Sequence, residues 1–105
     1  MTNEMTKALT TVGQAVVSMA QSVRVNRSVR KQDVVVLQEQ LRYIKAACRV
    51  KAYGELIRLS IDEMEKTLQR ITQKNFFGEM LDMAMNLLQM QYQALSLNIQ
   101  NYMMD

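Results

Sequence analysis

The side chains able to do chemistry in this chain are an acidic cluster, one thiol and a long run of cations. Asp62, Glu63 and Glu65 are the densest carboxylates. A metal held by a helical bundle takes inward glutamates with Glu-x-x-His spacing, or clusters of cysteine and histidine. The chain has no histidine and one cysteine, so no metal and no cofactor is expected. Lys66 and Arg70 are spaced to pair with Asp62 and Glu65 along a solvated helix face. Cys48 has no second cysteine for an intramolecular bridge and no imidazole to act as its base. Lys45, Arg49 and Lys51 beside it would favour the thiolate, but its place in an apolar stripe reads as a small buried hydrophobe. No serine has a histidine partner, and no glycine-rich phosphate loop is present. The expectation is a non-enzymatic protein with no catalytic residue.

The net charge of +3 hides an uneven layout. Residues 24–58 hold nine basic against three acidic side chains, a balance of +6, and residues 59–105 hold three against six, a balance of −3. Arg24, Arg27, Arg30 and Lys31 cluster in the sequence, and Arg42, Lys45 and Arg49 follow at i, i+3 and i+7, the spacing of one helix face. These seven are the candidate phosphate-binding residues, and on that reading the chain is a small basic regulator that tracks nucleic acid or an anionic membrane surface. The competing reading is a solvated face, or a positive half that docks on a negative half of the same fold or of a neighbour. No recognition-helix turn or run of stacking aromatics accompanies the charge.

The elements that must position these residues are helices. Ten methionines, three glycines and no proline leave too few turn residues for a sheet protein. At 105 residues the expectation is a single helical domain over 1–105. Met5, Leu9, Val12, Val16, Met19 and Val23 alternate by four and three, giving a first helix over about 4–24 whose other faces are uncharged and rich in small residues. Residues 24–31 break that stripe and form a basic connector, with Ser28 or Asp33 available to cap the next helix.

The stretch 33–74 is apolar at helical spacing throughout, but its stripe changes face. Leu37, Leu41, Ile44 and Cys48 share one frame, and Ile57, Ile61, Met64, Leu68 and Ile71 share another. Gly54, and the capping box of Ser60 with Glu63, mark a break between 54 and 60, giving helices over 32–53 and 55–74. A single continuous helix whose halves meet different neighbours explains the same pattern. Residues 74–78 form the clearest turn, with Asn75 and Gly78 tolerant of positive φ. The last helix, about 78–103, carries Phe77, Leu81, Ala84, Leu88, Gln91, Leu95, Asn98 and Tyr102 in one frame, interrupted by amides.

The fold class is therefore all-α, an antiparallel bundle or coiled coil of three or four helices. Met83 and Met85 cannot both face the side of Leu81 and Leu88, so apolar surface remains for another chain. The expected interface residues are Met80, Met83, Met85 and Met90 of the last helix with Val12, Val16 and Met19 of the first. The function expected is protein–protein association, as a homo-oligomer or as an adaptor or inhibitor of a larger complex, with nucleic acid as the alternative partner. Residues 83–104 lack charge over a membrane's width, but their many amides argue against an integral span. With no secretion signal at the start, the expected location is cytoplasmic. Small secreted helical-hairpin proteins have similar length and helix content, but a Trp-x-Gly turn or a proline-containing turn is impossible here, since tryptophan and proline are absent.

Overall fold

The computed structural model describes residues 2–73 and 75–104. Four helices form: α1 (Thr2–Asn26), α2 (Lys31–Ala47), α3 (Ala52–Ile71) and α4 (Glu79–Met104). Each packs on the next, and α4 returns to α1, which closes an up-down-up-down bundle about 41 × 20 × 18 Å. The closest pairs are α1 with α2 and α3 with α4.

The apolar frames read from the sequence turn inward. Met5, Val12, Val16, Met19 and Val23 of α1 meet Val34, Leu37, Leu41 and Ile44 of α2, Ile57, Ile61, Met64 and Leu68 of α3, and Leu81, Leu88, Leu95 and Ile99 of α4 in one core cluster. Ala8 and Ala15 are also buried, and residues this small let α1 approach its neighbours closely.

The central stretch breaks, but at 48–51 rather than 54–60. Cys48 leaves the helical conformation (φ −81°, ψ 141°) while its amide donates to the Ile44 carbonyl, and Lys51 opens α3 from an extended conformation. The frame had signalled this: Cys48 is the last residue of the first stripe, and the second is already running at Ile57. Gly54 does not end a helix. It lies in the first turn of α3, where the Arg49 carbonyl comes so near that a Cβ would overlap it. The Ser60 and Glu63 pattern lies mid-helix and caps nothing. Ser60 instead accepts a hydrogen bond from Asn98 of α4 (3.0 Å), and Glu63 pairs with Lys66 (3.4 Å).

Of the other two connectors, the one between α1 and α2 is shorter than the sequence suggested and the one between α3 and α4, residues 72–78, is longer. Arg24 is still in α1 and Lys31 is already in α2, so the basic connector shrinks to residues 27–30. Arg27 takes a left-handed conformation (φ 57°) and its amide closes on the Val23 carbonyl. Neither Ser28 nor Asp33 caps α2, whose N-cap Arg30 has no side-chain cap. Asp33 accepts from the Ser18 hydroxyl (2.9 Å) and from Arg30 (3.2 Å), tying α2 to α1. α3 ends at Ile71, and Lys74 lies outside the described residues. Gly78 (φ 64°) immediately precedes α4, while Phe77 before it stays exposed, leaving the core contact to Phe76.

The two glycines should separate crowding from backbone strain. Gly54→Ala must displace the Arg49 carbonyl and is expected to cost about 1–3 kcal/mol, as overpacking does. Gly78→Ala meets no atom within 4 Å but holds an unfavourable φ, for about 1 kcal/mol. Urea denaturation of the two variants measures both.

Candidate interaction surface

The predicted cationic face divides. Arg24, Arg27, Arg30 and Lys31 sit at the end of the bundle where α1 passes to α2, and Arg49 sits at the opposite end, about 25 Å away along the 17 residues of α2. Arg49 also lies beyond the helix, in the turn, so it does not extend the face of Arg42 and Lys45. Several of these cations hold the fold. Arg27 grips both oxygens of Asp82 at the start of α4 (3.0 and 3.2 Å), and Arg30 reaches Asp33 and the Ser18 hydroxyl. Lys45 meets Asp62 of α3 at 2.6 Å. The expected pairing of Asp62 with Lys66 within α3 is thus replaced by a bond to α2.

Cys48 is buried, its thiol facing the Gly54 and Lys45 carbonyls. The Arg49 amide above it donates to the Tyr102 hydroxyl (2.8 Å), Lys51 lies over the Tyr102 ring at 4.8 Å, and Arg58 donates to the Cys48 carbonyl (3.2 Å). These contacts lock the α2–α3 turn to the end of α4. Among the described residues no cluster of three carboxylate, thiol or imidazole groups is arranged to hold a metal. No helix among them is long and apolar enough to cross a membrane.

The two amides that interrupt the inner frame of α4 have partners on α3. The buried Thr67 hydroxyl donates to Gln91 Oε1 (2.9 Å), with the Glu63 carbonyl at 3.2 Å, and Gln91 Nε2 donates to that carbonyl (3.4 Å). Asn98 reaches Ser60 two turns on. These contacts fix the rotation of α4 about its own axis.

With that rotation set, a second apolar stripe of α4 faces outward. Met80, Met83, Leu87, Met90, Ala94, Leu97, Asn101 and Met104 recur by three and four over 25 residues, the spacing of a coiled-coil seam. Met83 is 70% exposed, Met90 66% and Leu97 57%, and Met80, Leu87, Ala94 and Met104 are exposed as well. Beside its N-terminal half, an open groove of about 390 Å³ runs between α3 and α4, lined by Thr67, Arg70, Phe76, Met80, Met83 and Leu87. Between residues 83 and 104 the helix has no charged side chain, and α1 beside it has none from 8 to 23.

The predicted interface residues therefore part company. Met80, Met83 and Met90 lie on the outer stripe, whereas Met85, Val12, Val16 and Met19 are core residues at most 4% exposed. Sequence reading missed Leu87, Ala94, Leu97, Asn101 and Met104. They keep the same spacing as the inner frame, one residue earlier, so spacing alone does not tell which of the two frames is buried. No known protein family, curated protein or solved structure matches the chain.

The Lys45–Asp62 pair gives a pH dependence. The Asp62 carboxylate accepting a hydrogen bond from its ammonium raises the Lys45 pKa above 10.5. A pKa raised on folding gives stability that is complete below the unfolded value and fades as pH rises through the folded one. Asp62→Asn should thus be less stable than the parent at neutral pH, with the gap closing above pH 10.5. Urea midpoints collected from pH 8 to about pH 12 test this.

Proposed function

We propose that this chain is a non-enzymatic protein–protein association module that works through the outer seam of α4. The observation that carries the reading is the seam itself: eight positions at coiled-coil spacing, apolar but for Asn101, turned to solvent by a helix whose other apolar frame is already in the core. Scattered exposed hydrophobes are ordinary on a protein surface, but a continuous apolar strip marks a contact site. Methionine suits such a site because its flexible thioether adapts to a facing surface. The partner is another copy of the chain or a larger complex for which it serves as adaptor or inhibitor.

The nucleic-acid reading gains no comparable support, since Arg27, Arg30 and Lys45 pair with carboxylates of the same fold.

Replacing Met83 and Met90 by lysine puts two charges into the seam without touching the core. Association measured by light scattering or by binding to a captured partner should weaken by about tenfold or more, and the thermal melt should stay near that of the parent. A parent chain that remains monomeric at high concentration and binds no apolar dye would remove the basis of the proposal.

A further inference from the structure

We infer that the occupant of the seam is α4 of a second copy, lying antiparallel, with the two-fold axis crossing the seam between Met90 and Ala94. This rests on the association reading and adds the partner and its direction.

The flanks of the seam favour a copy of the same chain. Asn86, Gln93 and Gln100 run exposed along one side, whereas Gln91 and Asn98 on the other side are held by α3. An amide both donates and accepts, so a row of amides complements itself. A strongly charged partner helix would find no opposite charge between residues 83 and 104. A lipid surface is also poorly matched, because helices that lie on membranes flank their apolar face with lysine and arginine.

The order of residues favours the antiparallel direction. About that axis, Met90 falls opposite Ala94 of the second copy, Leu87 opposite Leu97, Met83 opposite Asn101, and Met80 opposite Met104. The two central layers each join a long side chain to a short one, which fills space as a packed core does. Asn101 then lies one turn from the end of the contact, where its amide stays near water. A parallel pair would give Asn101 a partner in itself. It would also stack Ala94 on Ala94 in the middle, leaving a void, and set the Glu79 carboxylates of both copies at one end.

The contact is small. The seam is about 36 Å long at 1.5 Å per residue, and a helix is about 10–12 Å across. It covers about 400 Å² per copy, half of the 800 Å² of an ordinary stable interface. The dimer should therefore form and dissociate with concentration.

Cysteine pairing tests the direction. Leu87→Cys and Leu97→Cys are exposed changes, made singly in the full chain and oxidised at a concentration where light scattering finds a dimer; the parent, whose Cys48 is buried, is the control. In the antiparallel dimer residues 87 and 97 of different copies meet. Two copies of residue 87 lie about 15 Å apart along the axis, beyond the Cα spacing of about 7 Å that a disulfide spans. A covalent dimer is thus expected from the equimolar mixture and lost in either variant alone. The pair Met83→Cys with Asn101→Cys repeats the test one layer outward, where two copies of residue 83 lie about 27 Å apart along the axis. Covalent dimers from each single variant would overturn the antiparallel direction but leave association standing. A dimer that cross-links in none of these samples would overturn the α4 pairing alone. A parent that is monomeric throughout, or that binds neutral-lipid vesicles instead, would overturn both readings.

Discussion

The rotation of α4 about its own axis is the constraint on which the rest of this molecule depends. The helix is apolar on two sides, so hydrophobic burial alone leaves it two ways to face the core. Thr67 removes the ambiguity. The residue is 2% exposed, and a polar group of α4 laid against its hydroxyl is met by a partner instead of by apolar surface. Within α3 the Glu63 carbonyl offers one acceptor, and Gln91 of α4 supplies another along with a donor to that same carbonyl. Asn98 repeats the arrangement with Ser60. Only one rotation of α4 brings both amides to α3, and it places Leu81, Leu88 and Leu95 inside. A handful of polar contacts thus selects between two hydrophobic faces of similar strength.

The connectors hold that arrangement from the ends. Arg27 leaves α1 in a left-handed conformation and grips Asp82 at the first turn of α4. Both side chains are about half exposed, so the pair contributes about 0–1 kcal/mol and acts mainly on direction. At the other end Tyr102 receives the Arg49 amide and carries Lys51 over its ring. Gly54 lets the Arg49 carbonyl lie against the first turn of α3, and Arg58 satisfies the neighbouring Cys48 carbonyl. The chain has no proline to make its turns, and long side chains reaching from a third helix do that work.

The all-α class and the inner stripes were legible in the sequence because they depend on spacing alone. Leu37, Leu41, Ile44 and Cys48, then Ile57, Ile61, Met64 and Leu68, announced two helices through their change of frame. The break itself was misplaced. Gly54, and Ser60 with Glu63, match the chemistry of helix ends, but the first serves a close backbone approach and the others serve α4 and the helix surface. Arg49, Val50 and Lys51 form the real turn without glycine, proline or asparagine, so local chemistry could not reveal it. The cationic face divides for a related reason: a helix projection places Arg42, Lys45 and Arg49 together, but says nothing about where α2 stops, and the competing reading of a positive half docking on a negative half is the one that the Lys45–Asp62 and Arg27–Asp82 pairs agree with. At α4 the sequence showed surplus methionine and could not divide it, because Met83 and Met85 differ only through the rotation that Thr67 and Gln91 impose.

That division separates what holds the fold from what remains outside it. Leu88, Leu95 and Ile99 are fully enclosed, and shortening one leaves a cavity costing about 2–5 kcal/mol. Met83, Met90 and Leu97 on the far side contribute little to the core, so the fold places few demands on their identity. A polar residue at each would cost the fold almost nothing and would shield the bundle from unwanted contacts. Instead α4 carries methionine, leucine and alanine there at unbroken seam spacing, without a charge for twenty-two residues. The fold does not require that pattern. The association proposed above gives it a use, since three-and-four spacing is the geometry by which a second helix packs along a first.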